Sequence, residues 1–510
     1  MNDIKRVLSK LSEDDLKDGD DFAALNGILK HTPDGRIVTL QHTFLPSPFP
    51  KAEFEEAVNI QKLFNSLFLK VASDYDFLES TFKPVLSQDD YVRNLWEIYK
   101  DDHELGPVQS LRLSLNRSDY MLHTALSGSS LKQVEMNFIA ASFGGVMERL
   151  VKLHQFRLHQ LLGRHAPQLP ECPSATKFGR ALAHTVSEYA RKCQHLPQSS
   201  LGYSEHKTPA ILVVVSDCET NIFDQRSIEE AVLHANSSIP ILRRTFAELA
   251  EVAGRAVVEL GTSRLFVDGH EIAVIYYRTG YAPDHFNEEA WRTKLRLERS
   301  LAVKCPSVDY LLANMKLVQT ALASGPTVLS RFGKGAEVEK LVGTFAKQTV
   351  LSTDFHFADA AVIDRMVAEC RKDPSKFVLK PQREGGGNNI FGEDIIQKLD
   401  EIMSKPEANA YILMERFEPP LIENCVVGAD YSPPIMKEMI SELGIYGILL
   451  SDDKVEVEND HAGHLLRTKF VGVDEGSNGY RRGFIYKNTS TIIVKGFHDK
   501  RRSEANGMPE

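Results

Sequence analysis

Between Lys51 and Phe82 the apolar residues Phe54, Ala57, Val58, Leu63, Phe64, Leu67, Phe68 and Val71 recur at helical spacing, which predicts one long amphipathic helix against a core. A second helical pattern, RLVKLHQFRLHQLLG within 146–163, carries His154 and His159. Five residues apart, they fall on poorly aligned faces, which favours structural or exposed histidines over metal ligands. From about 209 to 306 the pattern changes: AILVVVS, IPILRRTF and EIAVIYYR are short, apolar, β-branched runs, with a helical repeat of Ile228, Ala231, Val232 and Ala235 between the first two. Strand, helix, strand predicts a parallel α/β unit. Helix-rich sequence on both sides marks 208–315 as an inserted domain. Downstream, FVLKPQREGGGNNIFG and YILMERFEPP begin as strands around the helical EDIIQKLDEIMS, a small mobile α+β unit over 330–420, with 316–329 as the connection. ISELGIYGILLSDD and HLLRTKF predict paired strands that return to a main body made of 1–207 and 421–510. The fold class is mixed α/β.

Composition narrows the function classes. The chain has 510 residues, 42% hydrophobic and 25% charged, ordinary globular usage with room for a large core. Lys plus Arg number 60 against 70 Asp plus Glu, a net charge of -10, which argues against a nucleic-acid partner. The six cysteines are scattered without a C-x-x-C pair, as expected of reduced thiols. The charged N-terminus lacks a signal-peptide core, no stretch is apolar enough to span a bilayer, and the C-terminal NGMPE carries no prenylation or peroxisomal signal. These features point to the cytoplasm and away from membranes.

The strongest chemical signal is Lys380 through Asn389, KPQREGGGNN, in which a strand-terminal lysine feeds three consecutive glycines. Backbone N–H groups of such a loop approach oxyanions closely and the lysine supplies a point charge, although a plain glycine turn reads equally well. In LKQVEMNFIAASFGG, Val134, Met136 and Phe138 alternate with Gln133, Glu135 and Asn137. Glu135 and Asn137 then share a face about 6.6 Å apart, and with Glu384 they would suit Mg2+ on nucleotide phosphates; a solvated polar face is the alternative. Arg117, Arg278 and Arg467 sit in turn-like contexts and could each grip a carboxylate with two parallel bonds. No Walker A loop, Rossmann fingerprint, H-E-x-x-H or G-x-S-x-G occurs, and His461 and His464 have helical spacing without the carboxylates of a zincin.

The segments NRSDYM, KQVEMNFIAASFGG, NIFDQRSIE, YYRTGY, KPQREGGGNN, YILMERFEP, ISELGI and GHLLRTK, in this order, closely resemble the eukaryotic glutathione synthetases. The resemblance implies an ATP-grasp body with a glycine-rich lid and an inserted parallel α/β substrate domain, usually as a homodimer. It also implies ligation of γ-glutamylcysteine to glycine through an acyl phosphate, with ATP as co-substrate and two Mg2+ ions held by Glu135, Asn137 and Glu384. Catalytic roles then fall to Arg117, Lys380 and Gly386. The ATP contacts would be Glu135, Lys316, the loop Lys380, Pro381, Gln382, Arg383, Glu384, Gly385, Gly386, Gly387, Asn388 and Asn389, together with Phe391, Met414, Glu415, Arg416, Phe417, Glu442, Lys469 and Glu475. For the dipeptide they would be Arg117, Ile139, Ala140, Ala141, Ser142, Glu219, Thr220, Asn221, Gln225, Arg278, Thr279, Gly280 and Tyr281, and Arg467 would meet the glycine carboxylate.

The chain departs from the family pattern at three places. Ala140-Ala141-Ser142 replaces Ser-Ala-Ser, removing one hydroxyl, and Phe391 replaces a tyrosine. The usual Gly-Gly-Val-Ala-Ala-Gly loop becomes Gly476-Ser-Asn-Gly-Tyr-Arg-Arg-Gly483, which puts Tyr480 and Arg481 at the two glycine-contacting positions. Another acceptor amine such as β-alanine, or a catalytically silent binding paralogue, are the alternative readings.

Overall fold

A computed structural model of the chain describes residues 12–125, 128–197, 199, 208–250, 256–382, 388–428, 435–470, 488–490 and 492–495. Helix α1 (Glu13–Leu25) is followed by α2 (Lys51–Ala72), α3 (Tyr75–Phe82) and α4 (Asp90–Leu105). The single helix expected over 51–82 is therefore two. Asp74 accepts a hydrogen bond from Phe77 N at 3.1 Å and so caps a new helix. The apolar stripe is core as expected: Phe54, Ala57, Phe64, Leu67, Phe68 and Val71 are buried, with Val58 and Leu63 packed against them.

Strands β1 (Leu111–Ala125) and β2 (Gly128–Asn137) precede helices α5 (Gly144–Leu162) and α6 (Ser174–Cys193). Next come β3 (Ala210–Val214), α7 (Ile222–Ala235), β4 (Ile241–Arg244) and β5 (His270–Tyr277). The chain continues through α8 (Lys316–Ala323), β6 (Phe377–Pro381), α9 (Glu393–Ile402), β7 (Tyr411–Glu415), β8 (Ile435–Asp452) and β9 (Val455–Phe470).

Three sheets organise these elements. In the seven-stranded sheet, β9, β8, β1 and β2 lie side by side and antiparallel. Strand β1 is covered on both faces: Asn116 and Tyr120 meet Asn65 and Phe64 of α2, while Leu111, Leu113 and Leu115 join the core beneath α5 and α6. In the second sheet β3 pairs in parallel with both β4 and β5, and α7 crosses between β3 and β4, the strand-helix-strand unit the pattern predicts. The third sheet is antiparallel, with β6 and β7 at its centre.

Several local expectations change. Arg117 and Arg467 lie within strands β1 and β9, not in turns; only Arg278 follows the end of a strand, β5. His461 and His464 also lie in β9, so their spacing is not helical. The polar alternation of β2 is interrupted, because Asp119 pairs with Glu135 and Tyr120 with Gln133, leaving Val134 as the extra residue of a bulge. Gln133 is buried in consequence, whereas Glu135 and Asn137 do share a face. His154 is a core histidine with Nε2 2.7 Å from Thr43 O, and His159 is exposed. Among the described residues no helix is long and apolar enough to cross a membrane.

Candidate active site

Beyond Leu115, the face of β1 that carries Leu111 and Leu113 continues as Arg117 and Asp119, because side chains two apart on a strand project together. Strand register sets their neighbours: Asn137 and Tyr446 flank Arg117, Glu135 and Gly444 flank Asp119, and Glu442 lies opposite Arg467. Asp119, fully buried, is the centre. It accepts from Arg117 through Nε at 2.6 Å and Nη2 at 2.8 Å, from Arg467 Nη2 at 2.6 Å and from Asn137 Nδ2 at 2.9 Å. Burial alone would raise its pKa, but the Arg117 and Arg467 charges outweigh it and hold the carboxyl at about 2. Arg467 also pairs with Glu442. A Cβ on Gly444 would stand 2.6 Å from Arg117 Cδ and 2.8 Å from Asp119 Oδ1, so the absence of a side chain there makes room for the pair.

The predicted dipeptide residues gather beside this cluster. The carboxyl ends of parallel strands β3 and β5 carry 219–221 and 278–281, the position where open α/β sheets bind ligands. Ala141 O accepts from Arg278 Nη1 at 3.3 Å, and Ser142 O accepts from Arg117 Nη1 at 3.3 Å and Tyr446 Oη at 2.7 Å. Glu219 accepts from Asn221 N at 2.8 Å and from the Gln225 amide, and Gly280 N donates to His285 Nδ1 at 3.1 Å. Asp224 joins the two sides. Its carboxylate accepts from Phe143 N at 2.8 Å, Gly145 N at 2.7 Å and Val146 N at 3.1 Å at the start of α5, and lies 3.6 Å from Arg278 Nη2. The Nε–H groups of Arg278 and Arg467 are buried with no partner among the described residues.

The predicted nucleotide residues come from separate segments. Lys316 opens α8 and Lys380 lies in β6, both buried; Leu317 N donates to Gln382 Oε1 at 3.1 Å, tying the start of α8 to the end of β6. Burial favours a neutral Glu135, yet Lys316, and after it Lys380 and Arg467, keep its pKa below the usual carboxylate value. Met414 and Phe417 form an apolar cluster with Val378 and Ala346, against which Met121, Val134 and Phe391 pack. The Arg416 guanidinium lies 5.4 Å from the Phe391 ring centre, and Glu415 N donates to Lys347 O at 2.9 Å. Met121 also lies beside Glu442, Arg467 and Lys469 along one shallow depression.

Arg383, Glu384, Gly385, Gly386, Gly387, Glu475, Tyr480 and Arg481 lie outside the described residues. Among the described residues no three His, Cys, Asp or Glu side chains gather as metal ligands. Asn137 Nδ2 donates to Asp119 Oδ2 at 2.9 Å and to Glu135 Oε1 at 3.3 Å, so the amide meets Glu135 through its nitrogen here; the carboxylate of Glu135 and the amide oxygen of Asn137 are of the hard donor type that suits Mg2+. Sequence reading missed Asp119, Asp224, Gly444 and Tyr446. For Asp119 the signal was present, since it lies two residues from Arg117 on a strand; for the others it was not, because their contacts are between distant segments.

A central sheet carrying Glu135, Asn137 and two arginines, two buried lysines, and a separate antiparallel sheet with an apolar cluster together fit an ATP-dependent ligase with an ATP-grasp body. The family model for eukaryotic glutathione synthase, ATP binding domain, matches residues 10–484, and the chain belongs to that family. It is 38% identical to the glutathione synthetase of Homo sapiens over 85% of this chain and 86% of that one. It is 32% identical to the glutathione synthetase large chain of Schizosaccharomyces pombe, covering 94% of this chain and 98% of that one. The solved apo structure of a glutathione synthetase-like effector from Globodera pallida has the same fold, with a TM-score of 0.71 at 20% identity over 94% of this chain and 96% of that one.

Proposed function

We propose that this protein is a glutathione synthetase, joining γ-glutamylcysteine to glycine with conversion of ATP to ADP and phosphate. A carboxylate is a poor electrophile, so the cysteinyl carboxylate first takes the γ-phosphoryl group; the glycine amine then attacks the acyl phosphate and phosphate leaves. Lys316 and Lys380 hold the phosphates, the Met414 and Phe417 cluster packs on adenine, and Glu442 and Lys469 hold the rest of the nucleotide. Arg117, Arg278 and the 139–142 and 219–225 segments bind the dipeptide, and Arg467 meets the glycine carboxylate. Mg2+, held by Glu135, Asn137 and Glu384, would neutralise charge during phosphoryl transfer. Arg117, aimed at the loop beside the reacting carbonyl, also stabilises oxyanion charge, a contribution of roughly 3 kcal/mol.

The carrying observation is that cations from α8, β6 and β9 converge on Glu135 and keep it ionised. The Nε–H groups of Arg278 and Arg467, which have no partner among the described residues, suit two substrate carboxylates. We assign the 208–315 segment to the dipeptide, 330–420 to a lid over ATP, with 316–329 between them, and the rest to the main body. The assembly is a cytoplasmic homodimer with neither nucleic acid nor membrane as a partner. The test is ADP release by the purified chain with ATP, Mg2+ and γ-glutamylcysteine, with glycine, β-alanine, serine or no acceptor, and the product mass checked. Glycine-dependent turnover that EDTA abolishes is expected. Turnover only with another amine would reassign specificity to the 476–483 loop, and none with any acceptor would mean a silent paralogue.

A further inference from the structure

The two arginines assigned to opposite substrates share one anion. Arg117 takes both oxygens of Asp119 in a fork, and Arg467 adds Nη2 to Oδ2 at 2.6 Å. A fork of two parallel bonds fixes the plane of a guanidinium as well as its place. With Nε and Nη2 so held, the remaining arm of Arg117 points at Ser142 O, 3.3 Å away in the dipeptide loop. Arg467, held through Nη2 by Asp119 and also by Glu442, keeps an Nε–H that has no partner among the described residues. Asp119 therefore keeps two like charges adjacent and sets which edges they present.

The surroundings leave this carboxylate little freedom. It is fully buried, Asn137 Nδ2 donates to it at 2.9 Å from the neighbouring strand, and Gly444 forms a close floor beneath it. Arg117 and Asp119 come from β1, Asn137 from β2, Gly444 from β8 and Arg467 from β9, so the group ties four adjacent strands at one point.

We propose that Asp119 is a positioning residue for the ligation, setting the orientation of Arg117 and Arg467 together and thereby coupling the dipeptide and acceptor sites. This rests on the function proposed above. Displacing a substrate-orienting group by about 1 Å costs on the order of 100-fold in rate.

The test compares wild type with Asp119→Asn and Asp119→Glu, measuring kcat and KM for γ-glutamylcysteine and glycine and, separately, ATP binding by calorimetry. Asp119→Asn is expected to lower kcat/KM for both carboxylate substrates by on the order of 100-fold, with ATP affinity within about threefold of wild type. Asp119→Glu, which keeps the charge but moves it, is expected to lose about tenfold for the same two substrates. A merely structural residue would lower all three affinities together, and that result, or unchanged constants in the variants, overturns the proposal. If Asp119→Asn does not fold, the same split in Asp119→Glu decides. An inactive wild type would instead overturn the proposed function.

Discussion

Replacing Asp224 by asparagine tests how the α/β sheet is locked to the start of α5. One carboxylate oxygen accepts from Gly145 N and Val146 N at 2.7 and 3.1 Å, the other from Phe143 N and Asn221 Nδ2 at 2.8 and 3.0 Å. An amide keeps one oxygen and turns an NH2 toward two donors, leaving both unsatisfied at about 1–3 kcal/mol each. Arg278, 3.6 Å away and buried, loses its counter-charge, and breaking a buried pair costs about 3–5 kcal/mol. These penalties overlap, since they share one carboxylate, so we expect a loss of roughly 4 kcal/mol. Relief through a shift of α5 is restricted, because a Cβ on Gly145 would stand only 2.1 Å from Asp224 O. Urea unfolding followed by the fluorescence of Trp96 and Trp291 measures the loss, and steady-state kinetics measures the KM for γ-glutamylcysteine. That KM should rise, because the same carboxylate holds the 139–143 loop and faces Arg278. A loss under about 1 kcal/mol with unchanged KM would refute the argument.

Lys316→Met removes the leading charge that keeps Glu135 ionised. The Glu135 pKa should rise, so the acidic limb of the kcat/KM profile moves to higher pH and the KM for ATP increases by about tenfold; an unmoved limb would separate the two residues. Gly444→Ala puts a methyl 2.6 Å from Arg117 Cδ, and should cost about 1–3 kcal/mol in urea unfolding. A larger loss of kcat/KM than of stability is expected, and wild-type kinetics would show that Arg117 has room to move. Asp460, held at about 2 by Lys177 and Lys62, has a depressed pKa, so its contribution is present above the unfolded value and fades as pH falls toward 2. Because that pair is about a third exposed, Asp460→Asn should cost at most about 1 kcal/mol at pH 7 and only a small fraction of that at pH 2, read from urea midpoints across pH.

The sequence by itself determined the local elements and the chemical inventory. Apolar stripes placed α2 and α5, β-branched runs placed β3, β4 and β5, and alternation put Glu135 and Asn137 on one face, because side-chain period depends only on backbone geometry. The motif resemblance supplied the candidate ligands of both substrates and ATP. It could not determine where one helix stops and another starts at Asp74, since a capping side chain and an interior polar residue look alike in sequence. Nor could it foresee the bulge at Val134, which exists only relative to the register with β1. Arg117 and Arg467, read as turn residues, proved to lie on strands separated by β8, and only that register brings both guanidinium groups to Asp119. Asp224 likewise owes its place to the packing of α7 against the start of α5. Periodicity acts over a few residues, whereas these contacts join segments tens to hundreds of residues apart, so only the tertiary structure decides which charges share a buried site.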